Sequence, residues 1–355
     1  MSSQSTLQID RGRRLQELAG EWDALVDRLG APPWVRPGWI SAWWGSYGAE
    51  GLEPIAVRRA GELVGLAPVV RARGRVSSPT NWHSPSFTLL AADPVAGRAL
   101  VEALFEGTPR RVSVGFLPTD DPSLADLRST AAVRGYRARE RFLQRSPYVE
   151  LAGSLEQYLA GLDRHQVKET LRRRRRLAGL GELTFSVEDG RVGLDRLLAE
   201  GLLVEASGWK GEQGTAIQSR PETLRLYGDV ARWAAGRGSL RLAFLRLDGR
   251  AIAFELALEE GGVVYAIKAG FDVEFRRFGP GALITYEQIA RAFALGLRRY
   301  ELLGSDEPYK LVWAREARDH VAFDGFAPSV AGRLEWVGET YGRRIAGRAR
   351  TLLRR

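Results

Sequence analysis

Two stretches of the chain carry the same succession of apolar run, glycine turn and apolar run. Residues 53–70 read EPIAVRRAGELVGLAPVV and residues 241–258 read RLAFLRLDGRAIAFELAL. Each predicts a β-hairpin, because two apolar strands separated by a short Gly turn are a strong short-range hairpin signal. Setting Gly61 against Gly249 fixes an offset of 249 − 61 = 188 residues. At that offset the helix-like GWISAWWGSYG (38–48) falls on LYGDVARWAAG (226–236), and each ends in a glycine placed for a helix C-cap. PVAGRALVEALFE (94–106) falls on ALITYEQIARAFA (282–294), both helical by period. RRVSVGF (110–116) falls on RRYELLG (298–304), and both read as buried strands.

The pattern is thus one unit written twice: helix, hairpin, strand, helix, strand. The middle strand is GGVVYAIKAGFD (261–272) in the second copy and is expected in NWHSPSFTLLAAD (81–93) in the first. A strand–helix–strand passage implies a right-handed crossover between parallel strands. A hairpin feeding that crossover gives a mixed α/β sheet.

A length of 355 residues fits two domains, expected at 10–145 and 146–330. A basic amphipathic helix is expected over 331–355, with Leu334, Val337, Tyr341, Ile345 and Leu352 on an apolar side packed against the second domain. A membrane or partner contact is its other reading. With no cysteine, disulfides, thiolate catalysis and Cys-based metal sites are excluded, and His83, His165 and His320 are too far apart in sequence to show metal-ligand spacing. No metal cofactor is expected. No apolar run is long enough to span a membrane and residues 1–14 lack an apolar signal core, so the expected location is cytoplasmic. The net charge of +9 raises a nucleic-acid partner. Lysine supplies only four of the 52 basic residues, leaving 52 − 4 = 48 arginines, a skew that coding bias also produces.

The copies part company between middle strand and helix. The second has RRFGPGA (276–282) where the first has AADPVAG (91–97). Gly279 and Gly281 permit positive φ and close approach to the backbone, a helix start favours an anion, and Arg276 and Arg277 add charge suited to phosphate. An ordinary strand-to-helix turn with solvated arginines is the competing reading. The spacing matches neither the dinucleotide fingerprint nor the P-loop.

RRFGPGA, with Arg276, Gly279, Gly281 and Ala282 in an Arg/Gln-x-x-Gly-x-Gly-Gly/Ala pattern, resembles the pyrophosphate-binding motif of GNAT acyltransferases. The longer stretch 265–314 resembles the GNAT-like group of CelD/BcsL type, with Asp272, Pro280, Gly281, Gly296, Gly304, Tyr309 and Lys310 on its pattern. A basic helix (165–181) and a Trp-Lys loop (206–217) fit the same group. The resemblance implies tandem GNAT-like folds, the first degenerate. It implies an acyl-CoA or acyl-carrier-protein thioester as donor, with Arg276, Arg277, Phe278, Gly279, Gly281 and Ala282 holding the pantetheine pyrophosphate. Trp209, Lys210, Tyr265, Lys268 and Asp306 are the expected acceptor-side residues.

Transfer of an acyl group to an amine needs a base, an oxyanion partner and an acid for the leaving thiolate. Glu255 interrupts an apolar strand, where burial would raise its pKa, and is a candidate base beside Asp272 and the pair Asp306 and Glu307. Asp272 equally suits a turn cap. Tyr309 is a candidate acid and Lys310 a candidate phosphate or acceptor contact, with packing and solvation as their plainer roles. The run RRRRR (172–176) covers more than a helical turn, so it cannot all face one ligand. Relatives of Fem type take aminoacyl-tRNA as donor, which makes tRNA a second candidate partner, and a non-catalytic binding module is a third reading.

Overall fold

The computed structural model describes residues 6–48, 51–207 and 217–342. The chain forms two units. Unit 1 comprises residues up to Ile40, Gly48–Leu143 and Asp319 onward, and unit 2 comprises Ser41–Tyr47 and Gln144–Arg318. Unit 1 opens with β1 (Leu7–Asp10), α1 (Leu15–Leu29) and the start of α2 (Pro37–Tyr47). It continues through β2 (Leu52–Arg59), β3 (Glu62–Ala72), β4 (Arg75–Ser77), β5 (Leu90–Ala91), α3 (Pro94–Leu104), β6 (Arg111–Pro118), α4 (Ser123–Val133) and half of β7 (Arg137–Glu150). Unit 2 takes the rest of β7, α5 (Leu155–Ala160), α6 (Arg164–Ala178), β8 (Leu183–Glu188), α7 (Leu194–Ala206), α8 (Pro221–Arg237) and β9 (Leu240–Leu247). Then come β10 (Arg250–Glu260), β11 (Val263–Phe271), α9 (Pro280–Ala294), β12 (Arg299–Glu301) and the short α10 (Pro308–Leu311). Finally β13 (Glu316–Phe326) and α11 (Val330–Val337) bring the chain back to unit 1.

Both units are mixed α/β. Unit 1 has strand order β1-β2-β3-β4-β6-β13, with β5 on β3, and unit 2 has β7-β12-β11-β10-β9-β8. The repeat is kept in register: β2 and β9 start 240 − 52 = 188 residues apart, as do β3 and β10 at 250 − 62 = 188. The parallel pairs are superimposable by number, Arg75↔Arg111 to Ser77↔Ser113 in one unit and Val263↔Arg299 to Tyr265↔Glu301 in the other. Even the turns repeat. Ala60–Gly61 and Asp248–Gly249 both take positive φ, and so do Arg73–Gly74 and Gly261–Gly262. Two successive left-handed residues are what a two-residue hairpin turn needs to match strand twist.

The first copy departs from expectation at its middle strand. The strand is Arg75–Ser77, directly after the Arg73–Gly74 turn, and not 81–93. After Ser77 the strand ends, and Ser78 holds the chain on β6: its N–H donates to Ser113 O at 2.9 Å, Gly115 N–H donates to its Oγ at 2.9 Å, and its hydroxyl is 2.9 Å from that of Thr80. The divisions differ too. Residues from Asp319 lie in unit 1, where β13 pairs antiparallel with β6, and the end of α2 lies in unit 2, where Tyr47 is hydrogen-bonded to Thr223 at 3.0 Å.

The apolar faces of α3 and α4 cover the unit 1 sheet, with Leu100, Val101 and Leu104 against Ile55, Val57 and Val69 and with Val321 and Phe323 from β13 in the same core. Unit 2 has one cluster around Tyr300, Trp313 and Ile289 and another around Leu245, Ile252, Phe278 and Ile284. The C-terminal helix was expected to pack by an apolar side on the second domain. Instead α11 is docked within unit 1 by charge: Glu335 meets Arg110 at 2.6 Å and Arg75 at 3.1 Å, and Arg137 lies 4.8 Å from the Trp336 ring. Leu334 is 68% exposed. A π-helical turn follows at Gly338–Gly342, and Ile345 and Leu352 lie outside the described residues.

The N-terminus of α3 is closed by Asp93. Its carboxylate accepts the N–H groups of Val95 and Ala96, both at 3.0 Å, and is held by Arg59 at 2.7 Å. The arginine, followed by the Ala96 N–H, pulls the carboxyl down to about 2. Asp93→Ala is expected to cost about 1 kcal/mol, as loss of an N-cap does. Urea unfolding checks it: the midpoint should fall with an unchanged slope.

Candidate active site

β11 and β12 pair in parallel over three residues only, Val263 to Tyr265. β11 then runs on to Phe271, with Ile267 bulged out against β10 between the pairs Leu256↔Lys268 and Ala257↔Ala266. β12 stops at Glu301, and the backbone bends away through Leu303 (φ 53°) and Gly304 (φ 61°). The two strands therefore diverge, leaving a stretch of β11 edge without β12 as partner. The bend beyond β12 is pinned by Lys310. This buried side chain donates to the carbonyls of Leu303 at 2.6 Å and Ser305 at 3.0 Å and meets Glu307 at 2.7 Å. With its ammonium so engaged, Lys310 is a structural anchor of the cleft wall and not a phosphate contact.

One end of the divergence is the glycine passage. A 3₁₀ turn over Val273–Phe278 follows β11, then Gly279 at φ 62° starts α9. Asp272 caps the 3₁₀ turn by accepting from Glu274 N–H at 3.0 Å and is paired with Arg250, so the cap role applies and the base role does not. Phe278 is buried in the core, which removes its side chain from any ligand. The N–H groups of Ala282 and Leu283 both turn back to Gly279 O. No side chain caps this helix. By number Gly281 matches Asp93 (281 − 93 = 188), but α9 starts two residues earlier than α3, so Gly279 is the N-cap and Gly281 lies in the first turn. A Cβ on Gly281 would lie 3.1 Å from the Phe271 ring, and one on Gly279 would lie 3.0 Å from Arg173 Nη1.

Arginines from two elements gather at this helix start. Arg276 and Arg277 are exposed. Arg277 lies over the Phe278 ring at 4.8 Å, and Arg176 of α6 is 5.9 Å from the same ring. The helical arginine run splits by face, as its length requires: Arg172 and Arg173 are paired with Glu169, and Arg174 with Glu287. The convergence of α6 with the glycine passage is invisible to sequence spacing, because more than a hundred residues separate them.

On the sheet side of the cleft, Lys268 Nζ lies 5.2 Å from the ring of buried Tyr227. Burial pushes its amine below the ordinary lysine range, against the opposing pull of Glu205 and Glu307. Glu205 is buried and accepts the Ile217 N–H at 3.0 Å. Sequence reasoning missed Glu205 and Tyr227, which lie on α7 and α8 and gave only a helical period. Tyr309 is exposed, with Lys310 Nζ 5.8 Å from its ring, Asp306 is exposed and Tyr265 is buried. Trp209 and Lys210 lie outside the described residues.

Glu255 is 2% exposed. Gln288 Nε2 donates to one oxygen at 2.9 Å and the Tyr300 hydroxyl to the other at 2.6 Å. Burial lifts the carboxyl to about 7 despite both hydrogen bonds. Its oxygens are occupied inside the core, by groups themselves fully buried, so it has no access to an acceptor amine. Among the described residues no group of His, Asp and Glu is placed to hold a metal ion, and no helix is long and apolar enough to cross a membrane.

Residues 164–311 match the family described as an acetyltransferase (GNAT) domain. They contain the whole β11–α9–β12 cleft. No curated protein matches the chain. Among solved structures, FemX is similar with a TM-score of 0.57 at 15% identity, over 89% of this chain and 96% of its own. The C-terminal domain (DUF2156) of an Agrobacterium fabrum protein described as a lysylphosphatidylglycerol synthetase is similar with 0.56 at 14% identity, over 91% and 95%. L-PGS from Bacillus licheniformis gives 0.52 at 12%, over 88% and 97%. At such identities the likeness is one of fold.

Glu255 makes stability pH-dependent. The folded state keeps a proton that the unfolded chain, near 4.5, has released. Stability therefore falls as pH rises from about 4.5 to about 7 and levels beyond, by on the order of 3 kcal/mol. Thermal melts at pH 5 and pH 8 check this: the wild type should lose more between them than Glu255→Gln does.

Proposed function

We propose that the protein is an N-acyltransferase whose unit 2 accepts an acyl thioester on a phosphopantetheine-type donor, acyl-CoA or acyl carrier protein, and passes the acyl group to an amine. One observation carries this reading. The helix that follows the middle strand is closed at its N-cap by the Asp93 carboxylate in unit 1, whereas in unit 2 the N-cap is Gly279 and no side chain caps the helix. A helix N-terminus calls for negative charge. Unit 1 has its own, whereas unit 2 offers the position to an outside anion with Arg276, Arg277, Arg173 and Arg176 nearby. The match over 164–311 supports the same class.

In this reading the acceptor nitrogen attacks the thioester carbonyl carbon, the C–S bond breaks, and the proton lost by nitrogen is matched by one gained at sulfur. Lys268, its amine depressed by burial, is assigned to take the proton from the attacking amine, and the exposed Tyr309 phenol to supply one to sulfur. Asp306 and Glu205 lend the acceptor side negative charge suited to a cationic amine. For an aminoacyl-tRNA donor, the alternative, the arginine helix offers less charge than its run of five suggests, since Arg172 and Arg173 share Glu169 and Arg174 is paired with Glu287.

Calorimetry with CoA tests the donor site. Gly281→Asp puts a carboxylate in the first turn of α9 and should weaken CoA by more than about tenfold, with circular dichroism checking that the variant keeps its fold. Unchanged affinity, or no CoA binding by the wild type, would sink the reading. Filter binding with bulk tRNA should show no affinity with a steep salt slope; finding one would favour the tRNA donor.

A further inference from the structure

The glycine passage of unit 2 stands at one end of a longer charged surface. α6 buries Thr170 and Leu177 and turns a row of cations outward. Arg164, Lys168, Arg172 and Arg175 follow one another at intervals of four, four and three residues, which puts them on one side of the helix, and all four are exposed. Arg176, exposed as well, widens the row at its C-terminal end. Arg172 shares Glu169 with Arg173. Among the described residues no carboxylate is paired with Arg164, Lys168, Arg175 or Arg176. Like charges three and four residues apart destabilise a helix, so the row is not there for the sake of α6 itself.

The row leads to the start of α9. Arg176 lies 5.9 Å from the Phe278 ring, and Arg277 lies 4.8 Å from the same ring. A Cβ on Gly279 would come within 3.0 Å of Arg173 Nη1. Measured from Arg176 along the helix axis, Lys168 is about 12 Å away and Arg164 about 18 Å. Cations so distant are not needed to hold a phosphate beside Gly279. They suit a larger body that brings the phosphate with it. The row is also narrow, one helix face wide. A single acidic helix laid along α6 sets its own carboxylates, three and four residues apart, against cations with the same spacing. The phosphates of an RNA duplex are spread over two strands. Glu169 in the helix and the exposed Glu274 in the 3₁₀ turn put negative charge where such a broader surface would lie.

We propose that the exposed row of α6 docks an acidic helix of an acyl carrier protein, so that unit 2 takes its acyl group from a carrier in preference to free acyl-CoA. The inference rests on the thioester reading of unit 2. The carrier settles on the row while its phosphopantetheine arm, fixed to the same protein, enters beside Gly279, and the arm therefore arrives at high effective concentration. The transfer step is unchanged, with the carrier's thiol as leaving group. Attraction between the opposed rows speeds encounter and weakens with salt.

Surface plasmon resonance on the full chain with the apo and holo forms of a bacterial acyl carrier protein, beside calorimetry with CoA, tests it. Both carrier forms should bind, more weakly as salt is raised. The double variant Arg164→Glu, Lys168→Glu should weaken both forms by about tenfold or more and leave CoA affinity unchanged, which also shows that it folds. Gly281→Asp should weaken the holo form and CoA but not the apo form, which carries no arm. CoA binding without carrier binding, or carrier binding that the double variant keeps, overturns this proposal and leaves the donor reading standing. Failure of the wild type to bind CoA marks instead the failure of the donor reading. Bulk tRNA held through Arg164 and Lys168 in place of the carrier overturns the proposal too.

Discussion

The first turn of a helix leaves N–H groups that need an acceptor. In this chain that requirement arises twice, after the middle strand of each unit, and the chain answers it differently. Asp93 meets it from within, with Arg59 to neutralise the charge. Gly279, the N-cap of the unit 2 helix, brings no side chain that could, and a Cβ on Gly281 in the first turn would meet Phe271. The rest of the unit 2 site is arranged around that difference: the early end of β11–β12 pairing, the Lys310 anchor that holds the bend after β12, and the arginines of α6 and the 3₁₀ turn beside Gly279.

Duplication explains why the contrast is sharp. Strand registers and both hairpin turns coincide at one offset, and the crossover helix starts only two residues earlier in unit 2 (280 − 94 = 186), so the two units serve as internal controls for one another. Where they agree, the residues answer to the fold: left-handed pairs at 60–61 and 248–249, or Leu100 and Val101 matched by Gln288 and Ile289 on the buried side of the crossover helix. Where they differ, the fold did not demand the difference.

Periodic features were legible in the sequence. The hairpins, crossover helices and parallel strands followed from apolar runs and glycine turns, and Glu255 was noticeable as a break in one such run. Three residues of β4 were not legible, because a strand that short carries no period and Arg73 gives no hint of a left-handed turn. Burial of Glu255 was foreseen, but its partners Gln288 and Tyr300 come from a helix and another strand, and with both oxygens taken the carboxylate faces the core. Lys310 looked like a free cation until the carbonyls of Leu303 and Ser305 were placed on it. The docking of α11 by Glu335 and Trp336 was hidden by apolar residues that turn out to face away.

The crossing points of the chain have a practical meaning. β7 begins in unit 1 and ends against β12, while β13 follows unit 2 in sequence and pairs with β6. Neither unit is a continuous segment. A fragment cut at residue 146 would strip β13 from its partner and give each piece a bare strand edge, the kind of surface that recruits other strands. Interleaved in this way, neither copy of the repeat can be expressed whole as one contiguous piece of the chain.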